Sequence, residues 1–313
     1  MRQNNERTAS NKHAMCPAFM GKIYTEYVVL QSRIKKDKFS DMRVLFLGEI
    51  VGRCGIGVIK NALKTYRREN NVDLVIANGE GATSGFGLGF QNALSLQHMG
   101  IDILTMGEKS FFKVDMVEGI SKRSSILRPA NYPEDVPGRG VRYLTVGESK
   151  VCIINTLGMC NFNNPHLNNP FLGAQALLEK IHAETNIIFY IFHASATAEK
   201  QSMGHLLQGR VSAVVGTHSK VMTADARILD GGTAYITDLG RCGASMSVGG
   251  FEPEHEIRKF RTSVQTRSHE SWEKPQMQGL LVEVDEKSGK ATGIWPVIQD
   301  VDVPMPEPKA KED

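Results

Sequence analysis

Seven side chains able to hold a cation, move a proton or clamp an anion sit in short polar clusters directly after apolar runs of this 313-residue chain. The clusters are Gly48-Glu49, Asn78-Gly79-Glu80-Gly81, Gly107-Glu108-Lys109, His193, and Gly216-Thr217-His218-Ser219-Lys220. Open α/β sheets carry their sites just beyond the carboxyl ends of their strands. If the five apolar runs are strands, one crevice receives three carboxylates, two imidazoles and two ammoniums. Carboxylates and imidazoles supply ligands or proton acceptors, and ammoniums supply fixed positive charge. Taken singly, each cluster has an ordinary explanation. A histidine after a strand is more often a satisfied structural residue, and a glutamate after glycine is usually a helix cap or part of a solvated turn. Five such clusters at successive strand ends point to a shared site.

The elements that must position these groups follow from apolar periodicity. Runs 43–48, 74–77, 103–106, 187–192 and 211–215 have the continuous apolar character of buried strands. Runs 57–69, 91–99, 114–120 and 171–183 have helical spacing. Residues 143–145 and 151–155 form an expected hairpin, and 233–237, 279–284 and 291–296 are expected as late antiparallel strands. Repeated β-α-β units followed by paired strands define an α/β domain with mixed sheets and helices outside. The expected organisation is an N-terminal extension over 1–41, either partly helical or disordered, a domain over 42–301, and a loose tail over 302–313.

Composition excludes several classes. Hydrophobic residues make up 41% and charged residues 23%, which is globular and not disordered. A net charge of +3 gives no basis for a nucleic-acid partner or a polybasic membrane anchor. Five cysteines without a CxxC pair fit a reduced, cytoplasmic chain better than a disulfide scaffold or zinc ribbon. No apolar run is long enough to span a bilayer, and no secretory leader pattern is visible.

The stretches RVLFLGEIVG, NGEGATSGFGLG, LRPANYPEDVPGRG, NNPFLGA, FHASATAEK, GRVSAVVGTH and TADARILDGGTAYITDLGRCG together carry a resemblance. From Met42 to about Val301 the chain resembles the calcineurin-like metallophosphoesterases, and most closely their YmdB-like bacterial branch, whose members act on 2′,3′-cyclic nucleotides. The resemblance implies a metallophosphoesterase-type sandwich of two mixed β-sheets flanked by α-helices. It also implies two metal ions that activate a bound hydroxide and clamp phosphate. The family pattern is an Asp after the first strand, then Glu-Asn, Asn-His, a lone His, and His-x-His. This chain departs from it at most points. The first Asp is Glu49; Glu80 is kept but its Asn is Gly81; Asn-His is Glu108-Lys109; His193 is kept; His218 is kept but its partner is Lys220. Lys109 stands where the family has a histidine that acts near the leaving group as acid or phosphate contact.

The substitutions have physical consequences. A protonated lysine has three donors and no lone pair, so Lys220 cannot ligate a metal. Glu49, Gly81 and Lys220 are therefore a degenerate first-metal position, where a Glu49–Lys220 pair replaces the ion by a fixed charge. Three carboxylates against two ammoniums leave the metal-free site at −1. Two divalent ions would bring it to +3 and one to +1, so charge disfavours two ions and does not choose between none and one. Glu80, Glu108, His193 and His218 fall on the second-metal positions, and such a set can hold Zn, Mn or Fe. The leading expectation is a catalytically impaired family member serving as a structural or regulatory component, in a homo-oligomer or larger assembly. The alternative is a mononuclear phosphodiesterase acting on a cyclic nucleotide or related phosphate ester, with Lys109 as phosphate contact or acid.

The remaining candidates weigh less. Gly85, Gly87 and Gly89 lack the spacing of a dinucleotide loop and are expected as a flexible turn. Cys54 and Cys152 are expected to pack. Cys160 and His166 lie in an Asn/Pro-rich loop, 159–170, that could cover the site. Asp225 and Arg227 are expected to pair in a turn. His13, His98, His182, His205, His255 and His269 have the character of surface or packing residues.

Overall fold

The computed structural model describes residues 41–162 and 167–305. The expected extension thus lies almost wholly outside the described residues, as do His13, His166 and the end of the tail. The chain opens β1 (Asp41–Leu47), β2 (Glu49–Ile50), α1 (Gly52–Glu69), β3 (Leu74–Asn78), α2 (Phe90–His98), β4 (Ile103–Thr105), α3 (Val114–Gly119) and β5 (Ile126–Leu127). It continues through β6 (Val141–Val146), β7 (Ser149–Leu157), α4 (Pro170–Ile181), β8 (Ile187–His193), α5 (Thr197–Leu207), β9 (Ala213–Thr217), β10 (Arg227–Leu229) and β11 (Thr233–Ile236). It closes with β12 (Arg241–Ala244), α6 (Pro253–Thr262), β13 (Pro275–Asp285) and β14 (Ala291–Asp300). No helix among the described residues is long and apolar enough to cross a membrane.

Two sheets result. The larger runs β2-β12-β13-β1-β3-β4-β5, with β14 on β13; the smaller runs β10-β11-β9-β8-β7-β6. Alternation of side chains along each strand separates three cores. Val44 and Phe46 of β1 meet Phe189 and Ile191 of β8 between the sheets. Leu45 and Leu47 face the opposite way, against Val58, Ile59 and Leu63 of α1. Ile188, Tyr190 and Phe192 pack outward on Leu178 of α4 and Met203 and Leu207 of α5. The architecture is the expected pair of mixed sheets flanked by helices.

Several elements differ from the sequence reading. β11 pairs parallel with β9 and antiparallel only with β10. α5 has no expected counterpart, because its buried face includes Glu199 and Lys200 beside Met203 and Leu207, which breaks the apolar stripe. The start of α4 follows the local rules: Asn169 accepts from the Phe171 and Leu172 amides, and Pro170 takes the first turn.

Two parallel sets aim at one place. β1, β3, β4 and β5 run parallel in the large sheet. β7, β8, β9 and β11 do so in the small one. Register places Asn78 beside Thr105, and His193 beside both Leu157 and Thr217. The carboxyl ends of both sets therefore finish level, and their trailing residues share one crevice. The sheets are held face to face by contacts such as Phe46 on Phe189, edge to face at 5.4 Å. Phe46→Ala should cost about 3–5 kcal/mol, read as a lower midpoint in chemical denaturation with an unchanged slope.

Candidate active site

The large sheet delivers the carboxylates. Gly48 turns the chain where an added Cβ would run into the Gly240 carbonyl oxygen. Glu49 follows in β2, paired with Arg241 of β12, and is fully buried. Among the described residues neither carboxylate oxygen has a hydrogen bond, and the ion-pair partner is Lys220 Nζ, 3.2 Å from Oε1. An added Cβ on Gly81 would collide with Glu49 Oε1, so only glycine leaves room for the longer acid. After β3 the Asn78 carboxamide oxygen accepts from the Glu80 amide at 3.0 Å, which turns Glu80 inward. Glu80 Oε2 then accepts from the amides of Gly107 and Lys109, and Oε1 lies 3.3 Å from Lys109 Nζ. Lys109 Nζ also meets Glu108 Oε1 at 2.8 Å.

The small sheet delivers the imidazoles. His193 ends β8 with no exposed surface. Its Nδ1 lies 3.1 Å from Asn78 Nδ2 and 2.9 Å from Thr217 Oγ1, which orient the ring. Its Nε2 faces Glu108 Oε2 at 2.8 Å, His218 Nδ1 at 3.1 Å and Glu80 Oε1 at 3.3 Å. His218 Nδ1 lies 3.5 Å from Glu108 Oε2. The sequence-derived residues thus come together as two adjoining groups, Glu80-Glu108-Lys109-His193-His218 and Glu49-Gly81-Lys220.

The charges perturb one another strongly. Burial disfavours a charged His193, but the Glu80 charge and hydrogen bonds to Glu108 and Glu80 outweigh it and raise the imidazole to about 10. Burial pushes the Glu108 carboxyl up, yet the bonds from His193 and His218 and the Lys109 charge hold it well below the usual carboxylate range. Burial likewise opposes a charged Lys109, while Glu80, Glu49 and Glu108 hold it above the ordinary ammonium value.

Residues outside the sequence-derived set hold the loop that follows β9. His218 and Lys220 both have positive φ, 106° and 60°, in a region costly for side chains other than glycine. Buried Asp238 accepts from the Ser219 amide at 2.8 Å, the Gly240 amide at 3.0 Å and Lys200 Nζ at 2.6 Å. Lys200 also donates to Ser219 Oγ at 3.0 Å, and Arg241 donates to the Lys220 carbonyl at 2.6 Å. Phe162 lies against both imidazoles, offset-stacked on His193 with centroids 6.1 Å apart and edge to face with His218 at 5.0 Å. It belongs to the Asn/Pro-rich loop expected to cover the site. Sequence periodicity carries no signal for Asp238, Lys200 or Arg241, because they serve a loop and not a face.

The minor candidates find structural places. Cys54 and Cys152 are buried, and Cys160 is exposed. Gly85 and Gly87 have positive φ in a turn closed by the Thr83 amide on the Gly87 carbonyl. Asp225 accepts from Thr223 and Thr237, while Arg227 lies over the Tyr235 ring at 5.8 Å; no ion pair joins the two among the described residues. His98, His182 and His205 stay outside both groups.

The donor set can be tested against a metal. A tetrahedral ion with bonds of about 2.0–2.1 Å spaces its ligand atoms about 3.3 Å apart. Glu80, Glu108, His193 and His218 offer four ligand atoms all within 4.8 Å of one another, with the contacts given above at 2.8–3.5 Å. These residues fit one divalent transition ion. Around Glu49 the lysine nitrogen lies where a second ion would need a lone pair, and those residues do not fit one.

A sandwich of two mixed sheets flanked by helices, with its polar residues at facing strand ends, is the calcineurin-like phosphoesterase fold. A sequence model of the YmdB-like protein family matches residues 45–297, and the chain belongs to that family. A Bacillus subtilis (strain 168) protein, named 2′,3′-cyclic-nucleotide 2′-phosphodiesterase, is 37% identical over 253 residues, covering 81% of this chain and 95% of its own. The crystal structure of a phosphatase from Mycoplasma pneumoniae superposes with a TM-score of 0.80 at 30% identity, covering 85% of this chain and 96% of that one. A hypothetical protein from Thermus thermophilus superposes with a TM-score of 0.77 at 32% identity, covering 83% of this chain and 99% of that one. The family implies a divalent metal.

Two outcomes follow from the buried charges. A histidine whose pKa rises on folding stabilises the native state fully below its unfolded value of about 6.5, and that stabilisation is lost as pH climbs to about 10. In chelator the wild type should therefore lose stability across this window, measured by denaturant titration at stepped pH, and His193→Gln should show a flatter profile. Asp238→Ala strands the Lys200 ammonium and should cost about 3–5 kcal/mol, whereas removing both partners in Lys200→Met/Asp238→Ala should recover part of it in the same titration.

Proposed function

We propose that the crevice is a mononuclear phosphodiesterase site for a 2′,3′-cyclic nucleotide or related phosphate ester. The observation that carries this reading is the convergence of Glu80, Glu108, His193 and His218 on one ion-sized set of donor distances. The names of the Bacillus subtilis and Mycoplasma pneumoniae relatives support hydrolysis over the expectation of a catalytically impaired component. Zn, Mn or Fe held there would supply Lewis-acid polarisation of a phosphoryl oxygen and a water of lowered pKa.

The chain's own residues do the rest. Lys109, its ammonium fixed by Glu80 and Glu108, reaches the site as the contact for a non-bridging phosphate oxygen or the proton donor to the leaving oxygen. Its raised pKa favours the phosphate contact, since the ammonium gives up its proton reluctantly. Lys220 holds a positive charge beside Glu49, so that part of the charge a second ion would supply is built into the chain. Phe162 packs against the imidazoles and limits water there.

The Glu49–Lys220 pair also favours a second reading, in which the protein binds a phosphate ester without turnover and works as a regulatory part of a homo-oligomer or larger assembly. The two part on metal content and hydrolysis. Elemental analysis of protein resupplied with Mn, Fe or Zn should find about one equivalent per chain. His193→Ala should lose it, together with 2′,3′-cyclic-nucleotide hydrolysis, by more than the roughly 10–100-fold that outer ligand partners cost. Metal-free protein that hydrolyses nothing yet binds the ester would favour the second reading.

A further inference from the structure

Glu199 is a buried carboxylate that belongs to neither group of the crevice. It sits in the first turn of α5. Its neighbour Lys200 is committed to Asp238, and among the described residues Glu199 has no ion-pair partner. Backbone donors meet it instead. Oε1 accepts from the Met159 amide at 2.6 Å, and Oε2 accepts from the Cys160 amide at 3.4 Å. The same charge lies beside the Cys160 thiol and holds it above its ordinary value. A carboxylate without a countercharge is costly to bury and is sustained by the donors that converge on it.

The segment it holds has little else to fix its path. Residues 159–161 are exposed, so apolar burial does not anchor them. The Gly158 amide donates to the His193 carbonyl at 2.9 Å, and an added Cβ at Gly158 would stand 2.6 Å from Glu199 Oε2, so glycine lets the chain pass against the carboxylate. Asn161 turns in the left-handed region, with φ 61°, and its Nδ2 donates to Ser195 Oγ at 3.3 Å. Phe162 comes next and meets the two imidazoles, which are not equally held. His193 has Asn78 and Thr217 on its Nδ1. His218 Nδ1 faces Glu108 and His193, members of its own donor set. Among the described residues its aromatic contact outside that set is Phe162, edge to face at 5.0 Å.

We infer that Glu199 is a positioning residue of the site: by fixing residues 158–161 it sets Phe162 against His218, the imidazole that has no hydrogen-bonding orienter of its own. This role depends on Glu80, Glu108, His193 and His218 holding an ion, as proposed above. A group that orients a ligand ring from outside the ligand set raises metal affinity, because a ring already in place loses little freedom on binding. No hydrogen bond or ion pair joins Glu199 to the donor set among the described residues, so its effect passes through the loop and the Phe162 ring.

The test uses full-length wild type, Glu199→Gln, Phe162→Ala and the double variant. In chelator, amide hydrogen exchange over 158–162 should be at least about tenfold faster in Glu199→Gln than in wild type. Zinc affinity, measured by competition with a chromogenic chelator, should fall about tenfold in Glu199→Gln and in Phe162→Ala. The double variant should fall no further than Phe162→Ala alone, because both substitutions act through one ring. Faster loop exchange in Glu199→Gln with the zinc affinity of wild type would mean that the carboxylate serves the loop alone; it would overturn the inference and leave the ion site standing. A double variant about tenfold weaker again than Phe162→Ala would also overturn it, since Glu199 would then act by another path. Wild type that takes up no zinc would overturn the ion site itself. Exchange elsewhere in the same spectra shows whether each variant is folded.

Discussion

A carboxylate taken out of water must find its positive partners inside the protein, and Glu80 is the carboxylate on which this crevice depends. It has no exposed surface. Its oxygens are met by the amides of Gly107 and Lys109, the Lys109 ammonium and the His193 ring. Those groups follow β4 and end β8, while Glu80 itself follows β3, so both sheets take part. Satisfying one buried charge therefore fixes how the two sheets stand at their carboxyl ends. The apolar layer between them supplies the attraction, but it is non-directional, and contacts such as Phe46 on Phe189 set no single alignment on their own. The directional polar set at the rim does.

The altered ligand positions read as a coordinated exchange once volume and charge are considered together. Glu49 reaches further than an aspartate by one methylene, and Gly81 withdraws a whole side chain from the space that its carboxylate now occupies. Lys220 brings a charge to a carboxylate that has no hydrogen bond at either oxygen among the described residues. Glu49 without Gly81 would meet a clash, and without Lys220 it would be a buried charge with no close partner; together the three leave neither. Relative to the dinuclear pattern, one half holds an ion pair, and the other keeps Glu80, His193 and His218 and has Glu108 in place of an asparagine.

Strain in the loop after β9 shows where stability is given up for geometry. His218 and Lys220 adopt backbone angles that glycine would take more easily. Asp238, Lys200 and Arg241 hold them there from positions that never reach the crevice surface. Lys200 and Asp238 are both fully buried, which is costly unless paired and hydrogen-bonded, and here they are both.

Much of this was legible in the residues themselves. Continuous apolar runs mark β1, β3 and β8 because strands buried on both faces need no polar alternation, and the polar residues after them announce a site because ligands gather at carboxyl ends of parallel strands. Charge alone disfavoured two divalent ions beside Lys109 and Lys220, since Coulomb repulsion needs no coordinates. What periodicity could not reach were elements held by polar groups: α5 with its buried Glu199 and Lys200, and α6 with no buried face. Nor could sequence place Phe162 against the imidazoles, Asp238 beneath the strained loop, or His255 against His269. Those pairings join residues far apart in the chain, or across a turn, by contacts that follow no period. The identities of the chemical groups were written in the sequence, whereas their partners were decided only when the two sheets closed and brought distant strand ends within hydrogen-bonding distance.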